Sequence, residues 1–347
     1  MKKNNRILVF GNFGYLKNDL NGQTVKTRSV YNLLNKNLIG NVYSFDTSSL
    51  YFKKRKVFIF IRELIRCNKL VYIPALKNLK YLLPIIYCLS KLFFFKIIHI
   101  PVGGRHNDFL KKNRIHRFLL SKIEVNLPET KKEVNELNLK FNYINVDYLP
   151  NFRIHNYMPQ IVENKTKFFR ICFMARVTPL KGIDAIIRLS NWLLLNPVQD
   201  KEIIIDLYGP IEEGYKDVFF NKIKNITMLN YLGVVQPTDV YSTFSNYDLS
   251  VLPTKYPGEG FPGSVLDSYT SAVPVIVSKW RHLPEFVKHG KTGFIFNLDN
   301  EEEFYNYVKY LILNPKIVYN MKLNAFEESK LYSEKTAWEI LNKHVVK

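Results

Sequence analysis

The sequence predicts an α/β fold of two doubly wound parallel sheets, and three observations carry that prediction. Short apolar runs alternate with helical patterns along the chain, as parallel strands joined by crossover helices do. The alternation comes as two series, separated by a polar, proline-containing stretch at 151–167. The 347 residues suit two domains of about 150–180 residues better than one core.

In the first series the apolar runs place strands at 6–11 (RILVFG), 42–45, 70–74, 96–102 (KIIHIPV), 123–127 and 146–149. Helical patterns fill the intervals at 23–37, 52–68, 77–95, 108–121 and 130–138. The second series places strands at 168–174 (FFRICFM), 202–208 (EIIIDLY), 227–231, 249–253, 275–278 and 293–296. Two helices follow, around 315–329 and 333–346. The expected domains are 1–155 and 160–332, with the helix at about 333–347 packing back on the first. Open parallel sheets bind ligands beyond the carboxyl ends of their strands. Two such domains facing each other would put a cleft between those edges.

Composition narrows the class. Hydrophobic residues make up 47% and charged residues 23%, a globular balance. No apolar run reaches the roughly 20 residues of a spanning helix. The first strand begins within ten residues of Met1, leaving no room for a signal peptide. Cys67, Cys88 and Cys172 are scattered and odd in number, so they form neither a disulfide framework nor a metal spacing. These features point to the cytoplasm.

The net charge of +20 is uneven. Residues 1–150 hold 27 Lys and Arg against 9 Asp and Glu, and residues 51–96 hold eleven basic residues against Glu63 alone. The basic residues are interleaved with Tyr, Phe, Ile and Leu, which suits a face resting on an anionic membrane, here the inner face of the cell membrane. The blander reading is a lysine-rich composition solvating ordinary helices. A nucleic-acid partner is not expected, because no zinc-finger spacing or RNP aromatic signature is present.

Four clusters fall at predicted strand ends. The most informative is GEGFPGSVLD at 258–267, a glycine-rich turn after the apolar strand LSVLP that opens a helix. Helix amides without backbone partners make an anion site, phosphate being the usual occupant. Glu259 and Asp267 lie eight positions apart, suited to hydroxyl groups on either side of a diphosphate. The second cluster is ARVTPLKG, where Arg176 and Lys181 bracket a turn and could reach one diphosphate, Arg as a fork and Lys as a point charge. The third is Gly11 to Gly14 followed by Asn21-Gly22, which lacks the full dinucleotide spacing but lets backbone approach a phosphate or sugar. The fourth is PVGGRH at 101–106, where His106 lies just past a strand end and could face a cleft as an acid or base. His99, inside the strand, reads as a core or wall residue. No Asp-x-Asp magnesium cradle, HExxH, P-loop or GxSxG elbow is present, so no metal and no cofactor are expected.

The chain resembles the retaining GT-B glycosyltransferases of the large E-x7-E type (family 4-like, glycosyl transferases group 1) that build bacterial polysaccharides and glycolipids. The matching pieces are LNGQTVKTR, LPNFR at 149–153, ARVTPLKG, PTKYPGEGFPGSVLDSY and PVIVSKWRHLPEFVKHGKTGFIF, in family order over nearly the whole chain. The resemblance implies two Rossmann-like domains, the second holding most of the donor. It implies that Arg176 and Lys181 hold the donor diphosphate, and that amides along Phe261, Pro262, Gly263, Ser264 and Val265 cap phosphate and sugar. Glu259 would bind the transferred sugar, Asp267 the ribose, and Gly14 would approach the diphosphate from the other domain. The second acid is Asp267 where the pattern has Glu, one methylene shorter. Where many relatives carry a histidine after the fourth strand this chain has Gly103-Gly104, so either His106 reaches in from the loop to take that role or the role is absent.

The expected activity is metal-independent, retaining transfer of a hexose-type residue from a nucleoside diphosphate sugar, UDP-linked, to a lipid-linked or polysaccharide glycan, as in lipopolysaccharide or capsule synthesis. The alternatives are a nucleotide-sugar epimerase of the same architecture and a non-catalytic glycan- or nucleic-acid-binding relative.

Overall fold

The structure, a computed structural model, describes residues 6–15, 21–38, 40–49 and 56–346. The chain divides into two units, Met1–His155 with Tyr332–Lys347, and Asn156–Leu331. In the first, β1 (Ile7–Gly11), α1 (Gly22–Asn37), β2 (Val42–Asp46), α2 (Lys56–Arg66), β3 (Lys69–Ile73) and α3 (Leu76–Phe93) follow in order. They continue with β4 (Lys96–His99), α4 (His106–Lys112), α5 (Arg114–Ser121), β5 (Val125–Asn126) and α6 (Lys131–Phe141). The sheet order is β2-β1-β3-β4-β5 and every pairing is parallel.

The second unit runs β6 (Phe168–Met174), α7 (Ile183–Leu195), β7 (Glu202–Tyr208), α8 (Lys216–Ile223), β8 (Leu229–Tyr231), α9 (Val240–Phe244) and β9 (Leu249–Leu252). Then come α10 (Gly263–Thr270), β10 (Val275–Ser278), β11 (Gly293–Phe296), α11 (Glu301–Leu313) and α12 (Pro315–Ser329). Its six strands lie in the order β11-β10-β9-β6-β7-β8, again all parallel. The winding reverses between β6 and β9, and at such a reversal the two following loops diverge and leave room for a ligand. The last helix, α13 (Glu334–Val345), returns to the first unit.

Strand periodicity sorts the first core into two layers. Leu8, Phe10, Leu70 and Tyr72 face a cluster with Phe60 of α2, Leu79 and Leu83 of α3, and Leu120 of α5. Ile7, Val9, Val71 and Ile73 face the opposite cluster, formed with Val30 and Leu33 of α1 and with Ala337, Leu341 and Val345 of α13. β1 and β3 are buried at every residue, which explains why they read as unbroken apolar runs.

Three predicted elements change for local reasons. The strand expected at 96–102 stops at His99, because Pro101 has no N–H to extend the ladder. The strand expected at 146–149 shrinks to one bridge between Asn126 and Val146; Pro128, two residues on, cannot donate either. The helix expected at 108–121 is two helices, broken at Asn113, whose side chain donates to the Phe109 carbonyl at 2.7 Å and competes with the backbone ladder. The first four residues of the helix expected at 52–68 lie outside the described residues.

A buried ion pair ties the carboxyl edge of the first sheet together. Lys26 Nζ of α1 lies 2.9 Å from Glu129 Oε2, with both side chains almost fully enclosed. Glu129 Oε1 also accepts the Gly103 amide at 3.1 Å, so one carboxylate anchors α1 and the loops after β4 and β5. Removing one member of such a pair strands a desolvated charge. Lys26→Met is therefore expected to cost about 3–5 kcal/mol in urea unfolding. Lys26→Met with Glu129→Gln, which keeps an acceptor for Gly103, should recover most of that loss.

Candidate active site

Strands β6 and β9 are neighbours at the reversal point, and the loops that leave their carboxyl ends meet. After β6 the chain makes a 3-10 turn at Pro179–Lys181 and enters α7 through Gly182, whose φ is +87°. The contact there is close. A Cβ on Gly182 would lie 2.0 Å from the Pro253 carbonyl oxygen, so only glycine fits. The Lys255 amide donates to the Leu180 carbonyl at 2.9 Å and Thr254 Oγ1 lies 3.3 Å from the same oxygen, stitching the two loops together.

This stitching brings Lys181 to Glu259. The lysine Nζ lies 2.9 Å from Oε1 and 2.7 Å from Oε2, and Thr254 Oγ1 donates to Oε2 at 2.8 Å. Glu259 is 5% exposed, and the Lys181 side chain 18%. The Tyr256 ring covers the ammonium, its centroid 4.9 Å from Nζ. Tyr256 is itself held by Trp280, whose Nε1 donates to the Tyr256 carbonyl at 2.7 Å, and by Gly258, where a Cβ would lie 2.7 Å from the tyrosine ring.

Helix α10 begins four residues after Glu259, with Pro262 as N-cap and no capping side chain. Here the expectation needs correcting. Pro262 has no amide hydrogen and the Val265 amide turns back to the Pro262 carbonyl at 3.2 Å, so neither is a free donor. Gly263 and Ser264 carry the first amides of the helix, at the positive end of its dipole. Phe261 stacks on Phe286 at 3.8 Å with the rings parallel, which pins the turn from below. Asp267 is half-buried one turn into α10.

Arg176 sits at the end of β6 with its side chain exposed, and no ion pair involves it among the described residues. The two cations expected to act alike are therefore in different states, one locked to Glu259 and one in solvent. Among the described residues no cluster of three or more His, Cys, Asp or Glu could hold a metal ion.

The remaining candidates belong to the first unit. Gly14 has φ +66° and its amide donates to Asn12 Oδ1 at 3.0 Å, in the loop after β1. His106 departs from expectation. It is the first residue of α4, 1% exposed rather than facing open space, with its ring 5.1 Å from that of His99. The reason lies next door: Asn107 Nδ2 donates to the Glu133 carbonyl and to Glu136, pulling the start of α4 onto α6 and turning the imidazole inward. Burial holds the His106 pKa down to about 4, and burial together with His106 lowers that of His99. Burial beside Glu129 pushes the Glu133 carboxyl up.

Sequence reasoning did not single out Thr254. Its hydroxyl directly after a buried strand, five residues before an acid, was the available signal.

A family profile described as glycosyl transferases group 1 matches residues 155–328, half of the chain. No curated protein sequence matches. Among solved structures the fold is similar to HepE of Anabaena in complex with UDP and glucose, with TM-score 0.75, 13% identity and coverage of 99% of this chain and 100% of that one. It is also similar to sucrose-phosphate synthase of Thermosynechococcus elongatus (TM-score 0.73, 11% identity, 98% of each chain). A glycosyltransferase of Rickettsia africae gives TM-score 0.72 at 13% identity, over 99% of this chain and 98% of that one. The two parallel-sheet α/β units are those of the GT-B fold.

Two expectations follow from the geometry. Gly182→Ala adds a methyl inside the Pro253 carbonyl at positive φ, so the second unit should lose more than about 2 kcal/mol in urea unfolding. Unfolded His106 takes its proton near 6.5 and the folded residue near 4, so His106 withdraws stability as pH falls from about 6.5 towards 4. A stability–pH curve for His106→Gln should be flatter across that window than the wild-type curve.

Proposed function

The chain belongs to the glycosyl transferases group 1 family, and on that premise we propose that it moves a hexose-type sugar from a UDP-sugar to a lipid-linked or polysaccharide glycan, with retention and without a metal. It is a glycosyltransferase; the donor, the acceptor and the stereochemistry are the proposal. The observation that carries it is the Lys181–Glu259 pair at the reversal point of the second sheet, beside the uncapped start of α10.

Each partner of that pair suits one half of a nucleotide sugar. A diphosphate draws on Lys181, on Arg176 and on the Gly263 and Ser264 amides, while Glu259 accepts from the hydroxyls of the transferred sugar. Asp267 is assigned to the ribose hydroxyls. As the bond from the anomeric carbon to the diphosphate oxygen breaks, negative charge grows on the leaving group. Fixed cations and helix amides are worth most at that moment. In this reading they do the work a divalent ion does elsewhere. The acceptor hydroxyl attacks from the face that the diphosphate leaves and passes its proton to the departing diphosphate oxygen, which retains configuration. HepE, solved with UDP and glucose, supports the choice of UDP. A lipid-linked acceptor would place the enzyme at the cytoplasmic face of a membrane, held by the basic first unit.

Arg176 offers the cleanest test because it supports no ion pair among the described residues. Arg176→Ala should lower kcat by about 10²–10³ with an unchanged melting temperature. Lys181→Ala also strands the buried Glu259, so it should lose stability as well as turnover; adding Glu259→Gln should restore the stability but not the turnover. Turnover assays across UDP-sugars, with and without acceptor, check both. Undiminished kcat in Arg176→Ala and in the double variant would sink the phosphate role. Product formed from donor alone would instead indicate an epimerase.

A further inference from the structure

The helices on one face of the first sheet carry an outer surface that solvent alone does not explain. On α3 the exposed residues Lys77, Tyr81, Ile85, Cys88 and Leu92 are spaced four, four, three and four residues apart, so they form one stripe. Its middle is apolar over three turns, and Lys80 and Lys91 flank it. An ordinary solvated helix has the opposite arrangement, with charge along the centre of its outer face.

The stripe does not stand alone. His116 Nε2 of α5 lies 2.8 Å from the Lys80 carbonyl oxygen, which seats α5 beside α3. On α5 the outward residues are Arg114, Ile115 and Phe118, with Lys122 just beyond, and Ile115 is 69% exposed. On α2, Phe58 is 77% exposed and Arg62 lies one turn on. All three helices bury their other side in the same core cluster, so these outer sides share one layer. Neither α3 nor α5 contains an acidic residue.

We propose that this layer docks on an anionic lipid bilayer, with Tyr81, Ile85, Leu92, Ile115 and Phe118 entering the headgroup region and the flanking lysines and arginines meeting lipid phosphates. Long basic side chains can lie along apolar surface and present their charge at the headgroups. The chemistry selects this occupant over two others. A second copy applied to the same face would set Lys77, Lys80 and Lys91 against like charges. A nucleic acid would meet aliphatic Ile85 and Leu92 where it needs cations. No helix among the described residues is long and apolar enough to cross a membrane, so the contact lies in the interface plane. Helix α3 starts at the carboxyl end of β3, so Lys77 and Tyr81 sit at the ligand edge of the first sheet. The inference deepens the lipid-linked acceptor proposed above and rests on that reading for its purpose. The docking assay needs neither donor nor acceptor, so docking and turnover can fail separately.

Cys88 supplies the probe. It is exposed in the middle of the stripe, whereas Cys67 and Cys172 are buried. The full chain, labelled there with a polarity-sensitive dye, is titrated with phosphatidylcholine vesicles with and without one quarter phosphatidylglycerol. Blue-shifted emission is expected with the anionic vesicles only. Each basic residue at an anionic surface is worth about a fivefold change, so Lys77→Glu/Lys80→Glu/Lys91→Glu should weaken binding at least tenfold. Tyr81→Ser/Ile85→Ser/Leu92→Ser should also weaken it at least about tenfold, and should remove the binding that survives high salt. Circular dichroism and melting should not change in either variant, since the altered side chains are exposed. Equal binding to neutral vesicles, or full binding by the serine variant, overturns the proposal. Dimerisation in sedimentation velocity that the serine variant abolishes, without vesicle binding, overturns it in favour of a second copy.

Discussion

A buried lysine–glutamate contact organises the second unit, and it exists because of topology. β6 and β9 are sequence-distant strands that become neighbours where the winding reverses. Their loops then approach until only Gly182 can stand against the Pro253 carbonyl. With the backbones so close, Lys181 and Glu259, 78 residues apart in sequence, reach hydrogen-bonding distance. Two enclosed opposite charges are tolerated when the geometry is good and the remaining lone pairs are satisfied. Thr254 supplies that satisfaction and Tyr256 shields the ammonium. A polar ligand that exchanged for this contact would meet groups already desolvated and already aimed.

The first unit handles charge in two contrasting ways. At the carboxyl edge of its sheet, Lys26 and Glu129 are enclosed and neutralise each other while holding the Gly103 loop. Around them His99, His106 and Glu133 are enclosed as well, and their shifts all disfavour the charged form. On α3 and α5 of the outer helical layer the charges are basic and open, and they alternate with apolar side chains. One region needs rigidity and the other contact, and the distribution of acids separates them.

Much of this was legible in the sequence, for physical reasons that differ by element. Doubly covered strands such as β1 and β3 are apolar at every position, so their runs stand out. The turns after β6 and β9 were visible because glycine and proline mark places where the backbone must bend or come close. The pairing of Lys181 with Glu259 was not visible, since nothing local connects residues that only the strand order makes adjacent. The burial of His106 was equally hidden. It follows from Asn107 bonding to α6, a helix-to-helix contact with no periodic signature. Pro262 differs again: the residue type alone shows that it has no amide hydrogen to offer a ligand.

The return of α13 to the first unit has a consequence for how the chain is made. Ala337, Leu341 and Val345 complete one of the two layers that cover β1 and β3, strands translated more than 260 residues earlier. During synthesis that side of the sheet has only α1 as its early helical cover, and the rest stays wet until α13 leaves the ribosome. The second unit carries no such debt to later residues and can close first. A chaperone or a neighbouring surface would thus meet the amino-terminal sheet half-dressed throughout elongation.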